Sequence, residues 1–402
     1  MQLITPYCRR LCGDDKVNRR TQTLKGFNVV NNPVLPAKAM RGHKETKMQN
    51  FLRNKIKTIF ISLGGGCNLS CSYCSQKKEH IENIAVVNKD IYRFIKEHAS
   101  YHSKSDKLKV LFYGGEPLLY FDKIKTIAKK IKSKKIHFTI ITNGKLLNQE
   151  IVKFLNKYKF GVQVSWDGRA SLESRGFDAV KEKKDLLFKL NSMSFSSIIT
   201  DKLRLKDLVE DIETFNTEYA KRNNGRIANA IVDAVRDRNN AAGRIDYNVL
   251  EQDMRDLIKS VFVEGKNESF KYWFNLEFKN LRNFITVYKD KQSVLSPCPE
   301  GLQHISINLK GDILHCHNAS GINGTIYSDY YEYLSKVLSK TKSCQEGAFC
   351  EVYSLCKGGC KLANALGENT DIYCQSRKAL LKPILEFVSY LHYALTKEVV
   401  NV

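Results

Sequence analysis

The sequence predicts an α/β protein: a partial (β/α)6 barrel followed by a small cysteine-rich α+β domain. Two observations carry this. From about residue 57, short apolar runs alternate with amphipathic helical stretches, the pattern of a parallel sheet with crossover helices. Six such units are too few for the closed eight-stranded barrel, so an open or partial barrel is expected. From about residue 286 the elements shorten, and seven cysteines lie between Cys298 and Cys374. That density points to organisation by metal rather than by a large apolar core.

In order along the chain, residues 1–55 are basic and weakly periodic, with Pro33–Val34–Leu35–Pro36 as an extended segment. They read as an arm or cap. The strands of the barrel, residues 56–285, are TIFISL (58–63), KVLFY (109–113), HFTIIT (137–142), GVQVSW (161–166), FSSIIT (195–200) and IANAIVDA (227–234). Helices such as 88–102 and 148–158 lie between them. Residues 286–402 form the cysteine-rich domain. Its final stretch, PILEFVSYLHYAL (383–395), places Ile384, Leu385, Val388, Leu391 and Leu395 on one helical face. Glu386 and His392 argue against a membrane helix, so docking on the protein's own core is expected.

A chain of 402 residues, 43% hydrophobic and 27% charged, can bury a sizeable core in two or three domains. Lys plus Arg number 65 against 42 acids, a net charge of +23. Such a surface attracts nucleic acid, anionic membrane or acidic peptide, or it is simply a set of solvated lysine-rich helix faces. No helix-turn-helix, DNA-binding zinc finger or aromatic RNA platform is present, so the charge does not select nucleic acid as partner. There is no apolar run long enough to span a bilayer, and the start lacks a signal-peptide core. A cytoplasmic location is expected, where twelve cysteines mean metal ligands or redox chemistry rather than disulfides.

Directly after the first strand, GGGCNLSCSYC supplies Cys67, Cys71 and Cys74. Thiolates suit iron–sulfur clusters or zinc. Structural zinc takes four protein ligands, and here three stand together at the carboxyl end of a strand, where barrel active sites sit. Three thiolates on a cubic [4Fe–4S] cluster leave one iron open to a small molecule. Gly64, Gly65 and Gly66 would let the backbone turn sharply over it. GGEP (114–117), TNG (142–144) and SWDG (165–168) follow the next three strands.

In this order and at these places, the motifs resemble the radical S-adenosylmethionine (SAM) superfamily over about residues 57–240. The resemblance implies that the Cys67, Cys71 and Cys74 cluster chelates SAM and cleaves it reductively to a 5′-deoxyadenosyl radical, which takes hydrogen from an unactivated C–H bond. It implies Tyr73 near the adenine, Gly114 and Gly115 against SAM, and Glu116 on its amino group. Asn143 belongs to the same cofactor-binding set. Ser165 and Asp167 would meet the ribose or shape the pocket floor, and Arg175 would meet the SAM carboxylate. The plainer alternatives are a Glu116–Lys ion pair, Asp167 as a helix N-cap, and Arg175 at the surface.

The set Cys298, Cys316, Cys344, Cys350, Cys356, Cys360 and Cys374 resembles the SPASM domain, an auxiliary-cluster module attached to radical SAM peptide modifiers. By similarity Cys298, Cys316 and Cys360 would bind an inner auxiliary cluster. Cys344, Cys350, Cys356 and Cys374 would bind an outer one. Gly347 stands where the family has a cysteine, with Cys344 three residues earlier. An eighth thiolate is missing where Gln292, Ser293 and Ser296 stand, leaving an open iron for substrate, water, or His304, His315 or His317. Cys8 and Cys12 read as further thiols of the arm. Zinc in this region is the alternative.

SPASM-type enzymes mostly modify ribosomally made peptides or proteins. The resemblance therefore implies oxidative modification of a peptide or protein: a crosslink, a thioether or a formylglycine-like oxidation. A flavodoxin or ferredoxin would donate the electron. Sulfatase-maturing members carry Asp directly after the counterpart of Cys316, and this chain has His317. That puts serine-type formylglycine chemistry in doubt and makes His317 a candidate catalytic base, or else an ordinary surface or core histidine. A radical SAM enzyme acting on RNA or a small molecule, and a non-catalytic iron–sulfur or zinc binding protein, are the competing readings.

Overall fold

The computed structural model describes residues 56–76, 81–235, 243–289, 303–329, 349–356, 358–360 and 370–400. Cys8, Cys12, Cys298, Cys344, Gly347, the Gln292–Ser296 stretch and the Leu395 side chain lie outside the described residues. So does the whole N-terminal arm expected over 1–55.

Six strands alternate with helices as the apolar periodicity dictates. They are β1 (Thr58–Ser62), β2 (Leu108–Tyr113), β3 (Ile136–Thr142), β4 (Gly161–Ser165), β5 (Met193–Ile199) and β6 (Asn229–Ala234). Each pairs in parallel with the next. The intervening helices are α1 (Asp90–Ser100), α2 (Phe121–Ile131), α3 (Gln149–Lys157), α4 (Ser171–Arg175), α5 (Ala179–Leu187) and α6 (Leu205–Arg222). Their starts follow cap chemistry. Asn148 accepts from Ile151 N, and Asp178 from Val180 N and Lys181 N.

The sheet has two unlike faces, set by the period of two. On one, Ile59, Ile61, Val110, Phe112, Phe138, Ile140, Val162, Val164 and Phe195 are buried against helix residues such as Ile91, Ile95, Ile124, Ile127, Leu155 and Phe215. Each such side chain contributes about 1.5–3 kcal/mol. The other face carries Phe60, Tyr113, Thr139, Gln163, Ser165, Ser194, Ser196, Asn229 and Asp233 by register. It is mostly polar and, over β4–β6, only partly buried.

The sheet continues beyond the six expected strands. β7 (His304–Asn308) pairs in parallel with β1, and β8 (Asp312–Leu314) and β9 (Ile322–Thr325) follow antiparallel, giving the order β6-β5-β4-β3-β2-β1-β7-β8-β9. Two helices, α7 (Tyr247–Phe262) and α8 (Lys271–Lys289), lead from β6 toward this segment. After the short α9 (Tyr353–Cys356), the helix α10 runs from Thr370 to Val400. It begins well before Pro383, which lies inside it, so the proline is not the start that the sequence suggests. Leu380, Leu381 and Ile384 are fully buried in the main core, and Leu385 and Val388 pack against it. This is the expected docking. Among the described residues no helix is long and apolar enough to cross a membrane.

Candidate active site

The carboxyl ends of β1 to β4 converge on the cysteine loop. Gly115 N donates to Gly64 O at 2.9 Å and Glu116 N to Gly66 O at 2.8 Å, which lays the GGE turn along the GGG turn. Side chains are excluded there. A Cβ on Gly115 would lie 2.2 Å from the Gly66 oxygen, and one on Gly114 would lie 2.5 Å from the Gly64 oxygen. Gly114 also has a φ of 149°, strained for any L side chain. The close approach these two glycines permit is to the cysteine loop itself. Tyr120 Oη accepts from Gly66 N at 2.9 Å and steadies the same turn.

Cys67 is exposed, and Cys71 and Cys74 are partly so. Burial pushes the Cys67 and Cys71 thiols up; for Cys71 the Arg175 charge opposes it. A metal centre reverses such a penalty by taking the sulfur as thiolate. Among the described residues no three His, Cys, Asp or Glu side chains converge on one metal ion. Beside Cys67, Asn68 accepts from Asn143 Nδ2 through its oxygen at 2.8 Å, while its own amide nitrogen is buried without a hydrogen-bond partner among the described residues. A buried donor without an acceptor costs about 1–3 kcal/mol. Three thiols at a strand end, a backbone cradle closed to any Cβ and this waiting donor suit an iron–sulfur cluster with an anionic ligand.

Glu116 is buried at the crossing of the first three strand ends. It accepts from Leu118 N at 3.0 Å, Thr142 Oγ1 at 2.6 Å and Asn143 N at 2.8 Å. Burial raises its pKa, and these three donors work against that. These hydrogen bonds, rather than a lysine, fix its position. Asn143 is buried and ties its own turn through Lys145 N at 2.9 Å.

A second hub stands just past the end of β4. Asp167 is fully buried and accepts from Tyr73 Oη, Ser174 Oγ (2.9 Å), Arg175 Nε and Nη2 (both 2.9 Å) and Ile198 N (3.1 Å). Its carboxylate makes no cap bond to the turn that follows. Arg175 is buried rather than at the surface, with its guanidinium 5.3 Å from the centre of the Tyr73 ring. Ser72 N donates to Ser174 O at 3.1 Å. The structure thus brings Tyr73, Asp167 and Arg175 together as one brace behind Cys71 and Cys74. Ser165 ends β4 on the partly open inner face, opposite Ser196.

His317 lies on that inner face, at the other side of the barrel. It stacks on Phe60 with ring centroids 4.3 Å apart and meets the edge of Tyr113 at 5.0 Å. Asn318 bridges its Nε2 (3.1 Å) to Tyr113 Oη (2.8 Å), and Gln76 of the cysteine loop donates to the His317 carbonyl at 3.3 Å. Cys316 is thereby held over the β1–β2 part of the barrel. Of the other proposed auxiliary ligands, Cys350 and Cys356 pack against the core beside α9. Cys374 stands in the first turns of α10, and Cys360 follows a Gly358–Gly359 turn of positive φ. Sequence reasoning missed Asn68, Tyr113 and Asn318. The signal for Tyr113 was its parity with Phe60 on the inner face.

Residues 61–170 match the radical SAM superfamily. The chain is 22% identical to the radical SAM cyclopropyl synthase TigE of Paramaledivibacter caminithermalis, across 90% of this chain and 81% of the relative. It is 22% identical to a cysteine-type anaerobic sulfatase-maturating enzyme of Clostridium perfringens, across 80% and 94%. Among solved structures it is similar in fold to native anSMEcpe with bound AdoMet (TM-score 0.57, 19% identity, 83% of this chain and 98% of that one). It is likewise similar to Streptococcus suis SuiB bound to precursor peptide SuiA (TM-score 0.56, 17% identity, 92% and 85%).

Proposed function

From the premise that residues 61–170 form a radical SAM domain, we propose that this chain is a peptide- or protein-modifying enzyme with auxiliary iron–sulfur clusters. When bound, a [4Fe–4S] cluster with SAM supplies one electron and a 5′-deoxyadenosyl radical that takes hydrogen from the substrate. Cys67, Cys71 and Cys74 would hold that cluster. Asn68 offers its free amide N–H to an anionic group there. The GGG and GGE turns and the Asp167 brace fix the loop before substrate arrives, so little reorganisation remains at the moment of reaction.

The observation that carries a peptide reading is the inner face. Over β4–β6 it is partly open and lined by Gln163, Ser165, Ser194, Ser196 and Asn229. Such side chains can pair with a peptide backbone that has to leave water. His317, across the face and beside Cys316, is the proposed base for the proton that the substrate loses once its hydrogen has gone. SuiB bound to a precursor peptide, and the sulfatase-maturating relatives, support a peptide or protein as substrate. Cys298, Cys316 and Cys360, with Cys344, Cys350, Cys356 and Cys374, are the proposed auxiliary ligands. A flavodoxin or ferredoxin is the proposed electron donor.

The test is an anaerobic reconstitution with iron and sulfide counts and a 5′-deoxyadenosine assay with SAM and a strong reductant. About twelve irons, as for three cubic clusters, with SAM cleavage are expected. About four with cleavage would remove the auxiliary clusters and keep the radical chemistry. Bound zinc, no labile sulfide and no cleavage would overturn the proposal.

A further inference from the structure

Arg377 stands one turn after Cys374 on α10, and burial leaves only 13% of its side chain exposed. Two carboxylates approach it without reaching hydrogen-bond distance: Asp233 at the end of β6, 3.7 Å from Nη1, and Glu277 of α8, 3.8 Å from Nη2. Its Nε is buried and has no hydrogen-bond partner among the described residues. A guanidinium carries five donors in a rigid fork, and a buried charged donor left without an acceptor is costly. Burial works against the charge. The pull of Tyr373, Glu277, Asp233 and Cys356 outweighs it. The arginine is therefore held charged, beside Cys356 and on the helix of Cys374, with an Nε donor that has no acceptor among the described residues.

We propose that Arg377 donates from Nε to a sulfur of the outer auxiliary cluster and tunes its reduction potential. The inference rests on the auxiliary-cluster reading above. Asp233 and Glu277 steer the guanidinium electrostatically without competing for its Nε. Hydrogen bonds to cluster sulfur and nearby positive charge favour the more negative, reduced cluster and so raise its potential. Arg377 is thus a tuning residue, remote from SAM.

The test uses the full chain, reconstituted without oxygen, as wild type, Arg377→Lys, Arg377→Gln and Glu277→Gln. Iron is counted, and each cluster is followed by EPR in a redox titration without substrate. About twelve irons are expected in wild type; about four would refute the auxiliary-cluster reading itself before any variant is compared. Given twelve, Arg377→Gln is expected to lower one midpoint by about tenfold in the reduced-to-oxidised ratio, ~59 mV for one electron. The other clusters should stay unmoved. Arg377→Lys, which keeps the charge and loses Nε, should give a smaller fall. Glu277→Gln, which removes a negative charge 3.8 Å from the guanidinium and leaves its positive charge less offset, should move the same midpoint upward; this arm stands even if Arg377→Gln fails to fold. Twelve irons with unchanged midpoints in the folded variants would overturn the proposal. So would a change confined to peptide KM, which would assign Arg377 to substrate instead.

Discussion

Replacing Gly115 with alanine places a Cβ 2.2 Å from the Gly66 oxygen, where ordinary contact begins at 3.4 Å. The clash is with backbone on both sides, so no rotamer relieves it. The GGE and GGG turns must separate by about 1.2 Å, the difference of those two distances. That breaks the bonds from Gly115 N and Glu116 N, now at 2.9 and 2.8 Å. Each is worth about 1 kcal/mol net, and each donor stranded in the interior costs about 1–3 kcal/mol more. The cysteine loop then loses on the order of 4 kcal/mol in its cluster-ready form, about three powers of ten in population. Mass action from added iron and sulfide recovers part of this. The expected result is a deficit of about four irons and at least a tenfold fall in 5′-deoxyadenosine. Gly225→Ala is the control: its φ is 75° with no atom near the added Cβ. It should cost about 1–2 kcal/mol of stability and leave iron and cleavage unchanged. Wild-type iron and cleavage in Gly115→Ala would refute the cradle.

Asp167→Asn leaves Arg175 buried against a neutral partner and is expected to cost about 3–5 kcal/mol in urea unfolding; a loss below 1 kcal/mol would show that Asp167 is not the brace. Burial, with Lys109 secondary, lowers His304 to about 4, against an ordinary value of about 6.5. The unfolded chain takes up that proton first, so stability is complete above about pH 6.5 and falls by about 3 kcal/mol as pH drops toward 4. His304→Gln should flatten that slope, and identical pH profiles would exclude the effect. Replacing Cys67, Cys71 and Cys74 together with alanine should remove about four irons and all SAM cleavage while sparing the iron of the proposed auxiliary clusters. Cleavage surviving in that variant would place the reaction elsewhere.

The six strands and the helices between them were legible because each strand buries one face under helices, and that period is written locally in runs such as TIFIS and HFTII. β7 was not. HISIN (304–308) alternates in the same way, but it follows a long interruption and lies among the cysteines, between Cys298 and Cys316, so its pairing with β1 is a non-local fact. The motif residues at the strand ends were legible as positions but not as contacts. Asp167 and Arg175 each invited a role toward a ligand, and only the fold shows them bonded to each other. Local sequence could not reveal this, because Tyr73, Ser174 and Ile198 complete the hub from three separate elements. Asn68 and Arg377 stayed hidden for a related reason. What marks them is a missing partner, which has no sequence signature.

The pairing of β7 with β1 bears on how the chain is made. The inner strand that carries the cysteine loop gains its second neighbour only when residues 304–308 emerge, about 250 residues after β1. At typical synthesis rates of about 5–20 residues per second, that edge stays unpaired for roughly 12–50 s. Throughout, a short, wholly apolar-backed strand offers free N–H and C=O groups to any other nascent chain. A product stopped before β7 would keep this liability permanently. Growth conditions that slow translation should therefore lower soluble yield more than they lower synthesis, and co-expressed holdase chaperones should recover it.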